Sequence, residues 1–284
     1  MPDINPQKTV SAIVVTFNSA EGIESCLKAL STEIASVGGD IIVYDNGSHD
    51  STIRAVETGF PHIHLYRSSR NIGFGAGCNQ AVAKSESEYI LFANPDLIID
   101  TGALAVLIET MSKLPDAGAV AARMRHPDGS FQPTCRKLPT SNNIFFSRGS
   151  IFGGRSEKNG YTLDDFGATA EVPAAAATCL LMRRDFFLSL GGFDERFFVF
   201  MEDTDLCMRI AAAGKKVYFE PRAGGIHHWG KGSSVSSFKR QWYHHMSVWK
   251  YFLKHYPNGF SLLLLPAALL VNLLLKTVTG RIRS

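Results

Sequence analysis

Apolar and polar positions in the first hundred residues follow two periods in turn. Residues 10–17 form a β-branched apolar run, and 40–44, 63–66 and 89–93 are shorter ones, each the length of a buried strand. Between them, residues 20–36 place Ile23, Leu27, Leu30 and Ile34 at helical spacing. A second helix is predicted from about Ser51 to Thr58. A third runs from the glycine-rich entry 71–77 to about Lys84. Strand and helix in strict succession predict an α/β fold, a mostly parallel sheet with helices on both faces.

Beyond Asn94-Pro95-Asp96 the alternation loosens. A helix is predicted over 104–114, a strand over 117–124 and a hairpin-like turn at His126-Pro127-Asp128-Gly129-Ser130. Residues 133–172 have little periodicity and many Gly, Ser and Asn, which predicts mobile loops over a site. A buried strand returns at 174–182. A helix then runs from about Thr204 to Ala213, stopped by Gly214, and a strand follows at 216–220.

The last two segments differ in kind. From about Phe238 to Tyr256, residues Trp242, Met246, Trp249, Leu253 and Tyr256 form one aromatic-rich helical stripe, with Lys239, Arg240, Lys250 and Lys254 beside it. Such a helix either docks on the core or also meets an anionic membrane surface. Residues 260–275 are almost wholly apolar, broken by Pro266 and Asn272 and followed by Lys276, Arg281 and Arg283. A helix of that length reaches roughly 24 Å against a hydrocarbon core of roughly 30 Å. It is expected to lie in or dip into a membrane rather than span it; a buried terminal helix is the alternative.

Composition narrows the class. With 45% apolar and 19% charged residues among 284, the chain has enough to bury a large core and does not read as disordered. A net charge of +3, from 29 basic and 26 acidic residues, is too mild to imply nucleic acid, and no such partner is expected. Five scattered cysteines without a CxxC pair argue against a disulfide framework or a zinc site and suit a reducing compartment. The polar start, 1–9, does not read as a signal peptide.

Ligands of a parallel sheet bind beyond the carboxyl ends of its strands. Three segments fall there: Thr16-Phe17-Asn18, Asp45-Asn46-Gly47-Ser48 and Asn94-Pro95-Asp96, which puts Thr16, Asn18, Asp45 and Asp96 along one rim. Asp45 could accept the imide N–H of a uracil or thymine ring, yet Asp-Asn-Gly-Ser also makes a good turn unaided. The run from Asn71 through Gly73 to Asn79 lets backbone approach a ligand at a helix start, without the Gly-Lys-Ser/Thr of a Walker loop. Asp96 is a candidate ligand for a hard cation bridging a diphosphate, and His227 or His228 a second one. Four carboxylates, Asp194, Glu195, Glu202 and Asp203, with Asp205 close behind, sit among Phe193, Phe197, Phe198 and Phe200. Acid in an apolar setting marks either a site of chemistry or the first turn of a helix capped by Thr204 or Asp203.

Taken in order, Thr16/Asn18, the Asp45 turn, 71–79, Asn94-Pro95-Asp96, Gly192-Phe193-Asp194-Glu195 with Glu202-Asp203, and His227 resemble the family 2 glycosyltransferases over about 10–234. Within that family the chain looks most like bacterial rhamnosyltransferases. The resemblance implies a GT-A fold, Rossmann-like, with C-terminal amphipathic and apolar helices appended. It divides the chain into a glycosyltransferase domain, 1–235, and a helical membrane-associating extension, 236–284. The domain has a nucleotide-binding half, 1–97, and an acceptor half, 98–235. It implies inverting transfer from a nucleoside-diphosphate sugar, with Asp203 as general base and Glu202 as its support. Thr16, Asn18, Asp45, Asn71, Gly73, Asn79 and Asp96 hold the donor, and Asp96 with His227 holds a divalent metal, Mg²⁺ or Mn²⁺. Asn94 stands where many relatives carry an acid, which leaves one charge fewer for the metal. Asp205 is expected to stabilise its helix, and Asp194 and Glu195 to shape the acceptor pocket.

The expected activity is transfer of L-rhamnose from dTDP-rhamnose to a lipid-linked saccharide acceptor in surface polysaccharide synthesis. The protein is then cytoplasmic, peripheral or monotopic at the inner face of the cell membrane, which it meets through the C-terminal helices. A UDP-sugar donor such as UDP-galactofuranose, or a non-catalytic nucleotide-sugar-binding scaffold, are the alternatives.

Overall fold

A computed structural model describes residues 9–140, 163–228, 236–258 and 261–278. Strands β1 (Val10–Thr16), β2 (Gly39–Asp45), β3 (His64–Arg67) and β4 (Tyr89–Ala93) alternate with helices α1 (Ile23–Val37), α2 (Thr52–Gly59) and α3 (Phe74–Val82). They lie side by side as β3-β2-β1-β4, all parallel. The apolar runs dictate this: β1 and β4 are buried along their whole length, as strands with helices on both faces must be.

The second half is mixed. It comprises β5 (Leu97–Ile99), α4 (Ala103–Lys113), β6 (Ala117–Arg125), β7 (Phe131–Gln132), β8 (Cys135–Arg136), β9 (Ala170–Val172), β10 (Ala174–Ala175) and β11 (Cys179–Arg183). Helices α5 (Arg184–Ser189) and α6 (Glu202–Ala212) and strand β12 (Lys216–His227) follow. The sheet continues from β4 as β11-β6-β12-β5. Strand β11 runs antiparallel to both β4 and β6, while β6 and β12 are parallel. Strand β12 outlasts the predicted 216–220: a register shift between Glu220 and Gly224 carries it past Pro221, and it ends on His227 beside β5. Gly225 is required there, since a Cβ would stand 2.9 Å from the Ile98 carbonyl oxygen. In the stretch predicted as loops over a site, 133–140 and 163–172 carry short strands, and 141–162 lie outside the described residues.

Two apolar layers flank the sheet. One joins Leu27, Leu30, Leu104 and Leu107 of α1 and α4; the other joins Ala81, Phe187, Leu206 and Ile210 of α3, α5 and α6. A third cluster forms where helix α7 (Ser237–His255) and helix α8 (Ser261–Val278) pack together: Val248, Tyr251, Phe252 and Leu265 close on Phe197 and Met201. The inward face of α7 is therefore Val248-Tyr251-Phe252, and two members of the predicted stripe, Trp242 and Leu253, are nearly half exposed. Among the described residues no helix is long and apolar enough to cross a membrane. Helix α8, which carries Pro266, turns Leu263, Leu264, Leu270, Val271 and Leu274 outward.

Candidate active site

Parallel register puts Thr16 of β1 opposite Asp45 of β2, and the Thr16 hydroxyl donates to Asp45 Oδ2 at 2.8 Å. The Ser48 hydroxyl donates to the same oxygen at 2.5 Å, and the amides of Gly47 and Ser48 donate to Oδ1 at 3.0 and 2.8 Å. These four bonds use the acceptor capacity of a carboxylate, so Asp45, fully buried, builds the turn before it does anything else. Asn18, in the left-handed region at φ 52°, donates its amide to Ser48 Oγ and accepts from the His49 amide, both at 2.8 Å. The rim is thus one cross-linked surface.

The glycine-rich entry joins this surface. Asn71 Oδ1 accepts from the Gly73 amide at 2.9 Å, and Asn46 Nδ2 donates to the Gly73 carbonyl at 2.9 Å. Gly73 has φ 99°, and a Cβ there would come 2.5 Å from the Phe198 carbonyl oxygen. Asn79, also expected to hold the donor, points to the acid segment instead. Its amide nitrogen donates to the Phe193 carbonyl (2.9 Å) and Glu195 Oε1 (3.1 Å), and its oxygen accepts from the Phe193 amide (2.8 Å). It braces the acid segment against α3.

At the end of β12, His227 Nε2 lies 3.1 Å from Asp96 Oδ1, both buried. His227 Nδ1 is 2.8 Å from Gln132 Oε1, and Asn94 Nδ2 is 3.2 Å from His227 Nε2. An amide oxygen only accepts, so Nδ1 donates to Gln132 and Nε2 is the ring nitrogen turned to Asp96. Gln132 Nε2, 3.2 Å from His126 Nδ1, completes the chain. A carboxylate oxygen and an imidazole nitrogen this close in a buried pocket share either a proton or a metal cation. The pair therefore fits a divalent metal, with an amide orienting the imidazole as metal-ligating histidines require. Among the described residues no group of three or more acidic, histidine or cysteine side chains could hold an ion. The protein offers two ligands, a set suited to a cation that keeps phosphate oxygens and water.

The acid cluster divides by role. Phe200 and Met201 are consecutive non-glycine residues at φ 68° and 69°, and Met201, not Thr204 or Asp203, precedes the first residue of α6. Asp203 Oδ1 accepts from the amide and hydroxyl of Thr204 at 2.6 and 3.2 Å, and Oδ2 pairs with the Arg136 guanidinium. Burial, with the Asp203 charge beside it, pushes the Glu202 carboxyl up to about 8 and so favours its neutral form. Asp205 faces away from this pair, fully buried, toward Arg209, Lys254 and His255. Asp194 pairs with Arg196 and Lys254, which hold its carboxyl well below the usual range. Burial pushes the thiols of Cys135, Cys179 and Cys207 up to about 12, which excludes them as nucleophiles at neutral pH.

Sequence reasoning missed Gln132 and Arg136. They belong to one short segment, β7–β8, that touches His227 at one end and Asp203 at the other. Four residue steps bring the two contacts within about 14 Å along the chain. The available signal was the turn at 126–130, which folds Phe131–Gln132 back onto β6.

Comparison with known proteins gives the family and the fold. The family model for glycosyl transferase family 2 matches residues 11–191, and that for glycosyl transferase family group 2 matches residues 160–283. The chain is 29% identical over 265 residues to the N-acetylglucosaminyl-diphospho-decaprenol L-rhamnosyltransferase of Mycobacterium tuberculosis, covering 88% of this chain and 84% of that protein. It is 28% identical over 171 residues to the rhamnosyltransferase WbbL of Escherichia coli K12, covering 57% and 63% of the two chains. Among solved structures, the mannosyltransferase PcManGT of Pyrobaculum calidifontis with GDP-Man and Mn²⁺ superposes with a TM-score of 0.61 at 18% identity, covering 100% of this chain and 78% of that one. GalNAc-T7 with UDP, GalNAc and Mn²⁺ gives 0.59 at 14% identity, covering 86% and 48%. The fold is GT-A. The chain belongs to glycosyl transferase family 2 and is a glycosyltransferase.

Proposed function

We propose that the protein is an inverting rhamnosyltransferase that moves L-rhamnose from dTDP-rhamnose to a lipid-linked saccharide in cell-surface polysaccharide synthesis. The observation that carries this reading is the β7–β8 segment, which ties a candidate base, Asp203, to a candidate diphosphate end, Asp96 and His227. The names of the relatives from M. tuberculosis and E. coli point to the sugar, and the first points to a lipid-linked acceptor.

In this reading the nucleotide rests on the surface built by Thr16, Asn18, Asp45, Asn71 and Gly73. Asp45 acts chiefly by holding the turn, because a base imide would have to displace one of its four hydrogen bonds. Asp96 and His227 would hold a divalent cation, Mg²⁺ or Mn²⁺, which when bound supplies positive charge to the leaving diphosphate. The acceptor hydroxyl gives its proton to Asp203 and attacks the anomeric carbon opposite the diphosphate. The bond from that carbon to the diphosphate oxygen breaks, and its electron pair leaves with the diphosphate. Glu202, whose buried carboxyl is pushed toward its neutral form, limits the negative charge beside the base.

The outward leucines of α8 and the basic Lys239, Arg240 and Lys250 of α7 support attachment to the inner face of the cell membrane, where a lipid-linked acceptor is presented. A donor screen that reads released nucleoside diphosphate, with and without EDTA, tests the proposal. Release from dTDP-rhamnose that EDTA abolishes supports it. Release from UDP-sugars instead overturns the donor, and indifference to EDTA overturns the metal.

A further inference from the structure

Segment 194–201 leads directly into Glu202 and Asp203 and ends in two strained residues, Phe200 and Met201. Consecutive left-handed non-glycine residues persist only where their surroundings over-determine them. On one side the segment is tied to the glycine-rich entry, where the Phe74 amide donates to the Phe198 carbonyl at 2.9 Å. On the other side it is tied to α7. Ser247 Oγ donates to the Val199 carbonyl at 2.8 Å, Lys250 Nζ to the Arg196 carbonyl at 2.6 Å, and the Phe198 and Tyr243 rings meet at a tilt with centroids 4.8 Å apart.

The strongest tie is ionic and comes from the catalytic helix itself. Asp205 lies two residues after Asp203 and is fully buried. It takes Lys254 Nζ at 2.6 Å and His255 Nε2 at 2.7 Å, both from the last turn of α7, and Arg209 Nε at 2.8 Å from its own helix. Lys254 also reaches Asp194 Oδ2 at 2.7 Å, so one ammonium joins the start of the segment to the helix that follows it. A lone first-turn helix stabiliser would face solvent; this one holds another element.

We propose that Asp205, Lys254 and His255 are positioning residues that set Glu202 and Asp203 for transfer by locking α7 onto segment 194–201. The inference rests on Asp203 serving as the base of the proposed reaction. It makes α7 part of the catalytic domain rather than an appended anchor. Lys254 carries the sharper test because it is more exposed than Asp205 and its loss leaves the core apolar packing of α7 in place.

The experiment compares full-length wild type, Asp205→Asn, Lys254→Met and Lys254→Arg. It measures kcat and donor KM by nucleoside diphosphate release, and backbone hydrogen exchange over 194–203. Lys254→Met is expected to lower kcat about tenfold or more with donor KM within about twofold, and to speed exchange over 194–203. Lys254→Arg is expected to recover most of kcat. Unchanged kcat in Lys254→Met, or loss of kcat only in proportion to loss of folded protein, overturns the proposal. If Asp205→Asn fails to fold, the Lys254 pair decides alone. If wild type turns over no donor, the glycosyl-transfer reading has failed separately; the clamp is then judged by exchange, with unchanged rates over 194–203 overturning it.

Discussion

Arg136 of β8 and Asp203 of α6 are joined guanidinium to carboxylate, both largely buried, across 67 residues of sequence. The pair fixes the carboxylate assigned to proton transfer, whose other oxygen is held by Thr204. Arg136→Met is expected to cost about 2 kcal/mol of stability, the scale of a lost hydrogen bond to a charged group. It should also lower kcat by roughly 10²-fold, the scale of a disturbed general base. Arg136→Lys keeps the charge without the planar fork and should fall between. Thermal unfolding and steady-state kinetics check the three proteins, and wild-type kcat in Arg136→Met would remove its role.

Glu202 gives stability a pH dependence of known sign. Its folded-state value lies near 8 and its ordinary value near 4.5. Between these limits the native state binds more protons than the unfolded chain, so its contribution to stability falls as pH rises through that window. Glu202→Gln keeps the neutral shape at every pH. The drop in Tm between about pH 5 and about pH 8 should therefore be smaller in Glu202→Gln than in wild type. Equal drops would show that Glu202 is charged in the native state.

Gln132 orients the imidazole that faces Asp96. Outer-shell partners of this kind are worth roughly 10- to 100-fold in metal affinity. Gln132→Leu is expected to weaken Mn²⁺ binding by that factor, read from the free Mn²⁺ electron paramagnetic resonance signal without any substrate. Affinity equal to wild type would detach Gln132 from the ion.

The outward leucines of α8 predict binding to anionic vesicles. The double substitution Leu264→Glu/Leu270→Glu places charge on that face without touching inward Leu265 or Leu273. Co-sedimentation with phosphatidylglycerol vesicles should fall at least about tenfold, since each buried leucine is worth about 2 kcal/mol. Unchanged pelleting would contradict the membrane contact.

The parts of the fold legible in sequence were those written in long apolar runs. Strands β1, β2 and β4 and helices α1 and α4 announce themselves because burial on one or both faces demands it. Strand β5 is three residues long and β12 crosses Pro221 and two glycines, so neither shows a period; pairing decides both, β12 against β6 and β5 against β12. The stripe read along α7 lies beside its buried face: Trp249 and Tyr256 pack against the cluster, Trp242 and Leu253 face outward, and Tyr251 and Phe252 fill the space beside Phe197 and Met201. Asp96, His227, Glu202 and Asp203 can be named as candidates from residue type and order, and the fold brings Asp96 to His227. Gln132 and Arg136 cannot, because their roles arise from partners 95 and 67 residues away. Asp45 shows both of its readings at once: a turn former by its bonds, on the rim where a nucleotide is proposed to sit.

In the proposed reaction Asp203 takes the acceptor proton in transfer from dTDP-rhamnose. The most direct test is dTDP release by wild type and Asp203→Asn with a polyprenyl-diphosphate saccharide acceptor. Asparagine keeps the shape and removes the base, so kcat should fall by roughly 10²- to 10⁴-fold, with dTDP binding within about twofold of wild type. Turnover by Asp203→Asn at the wild-type rate would contradict the account.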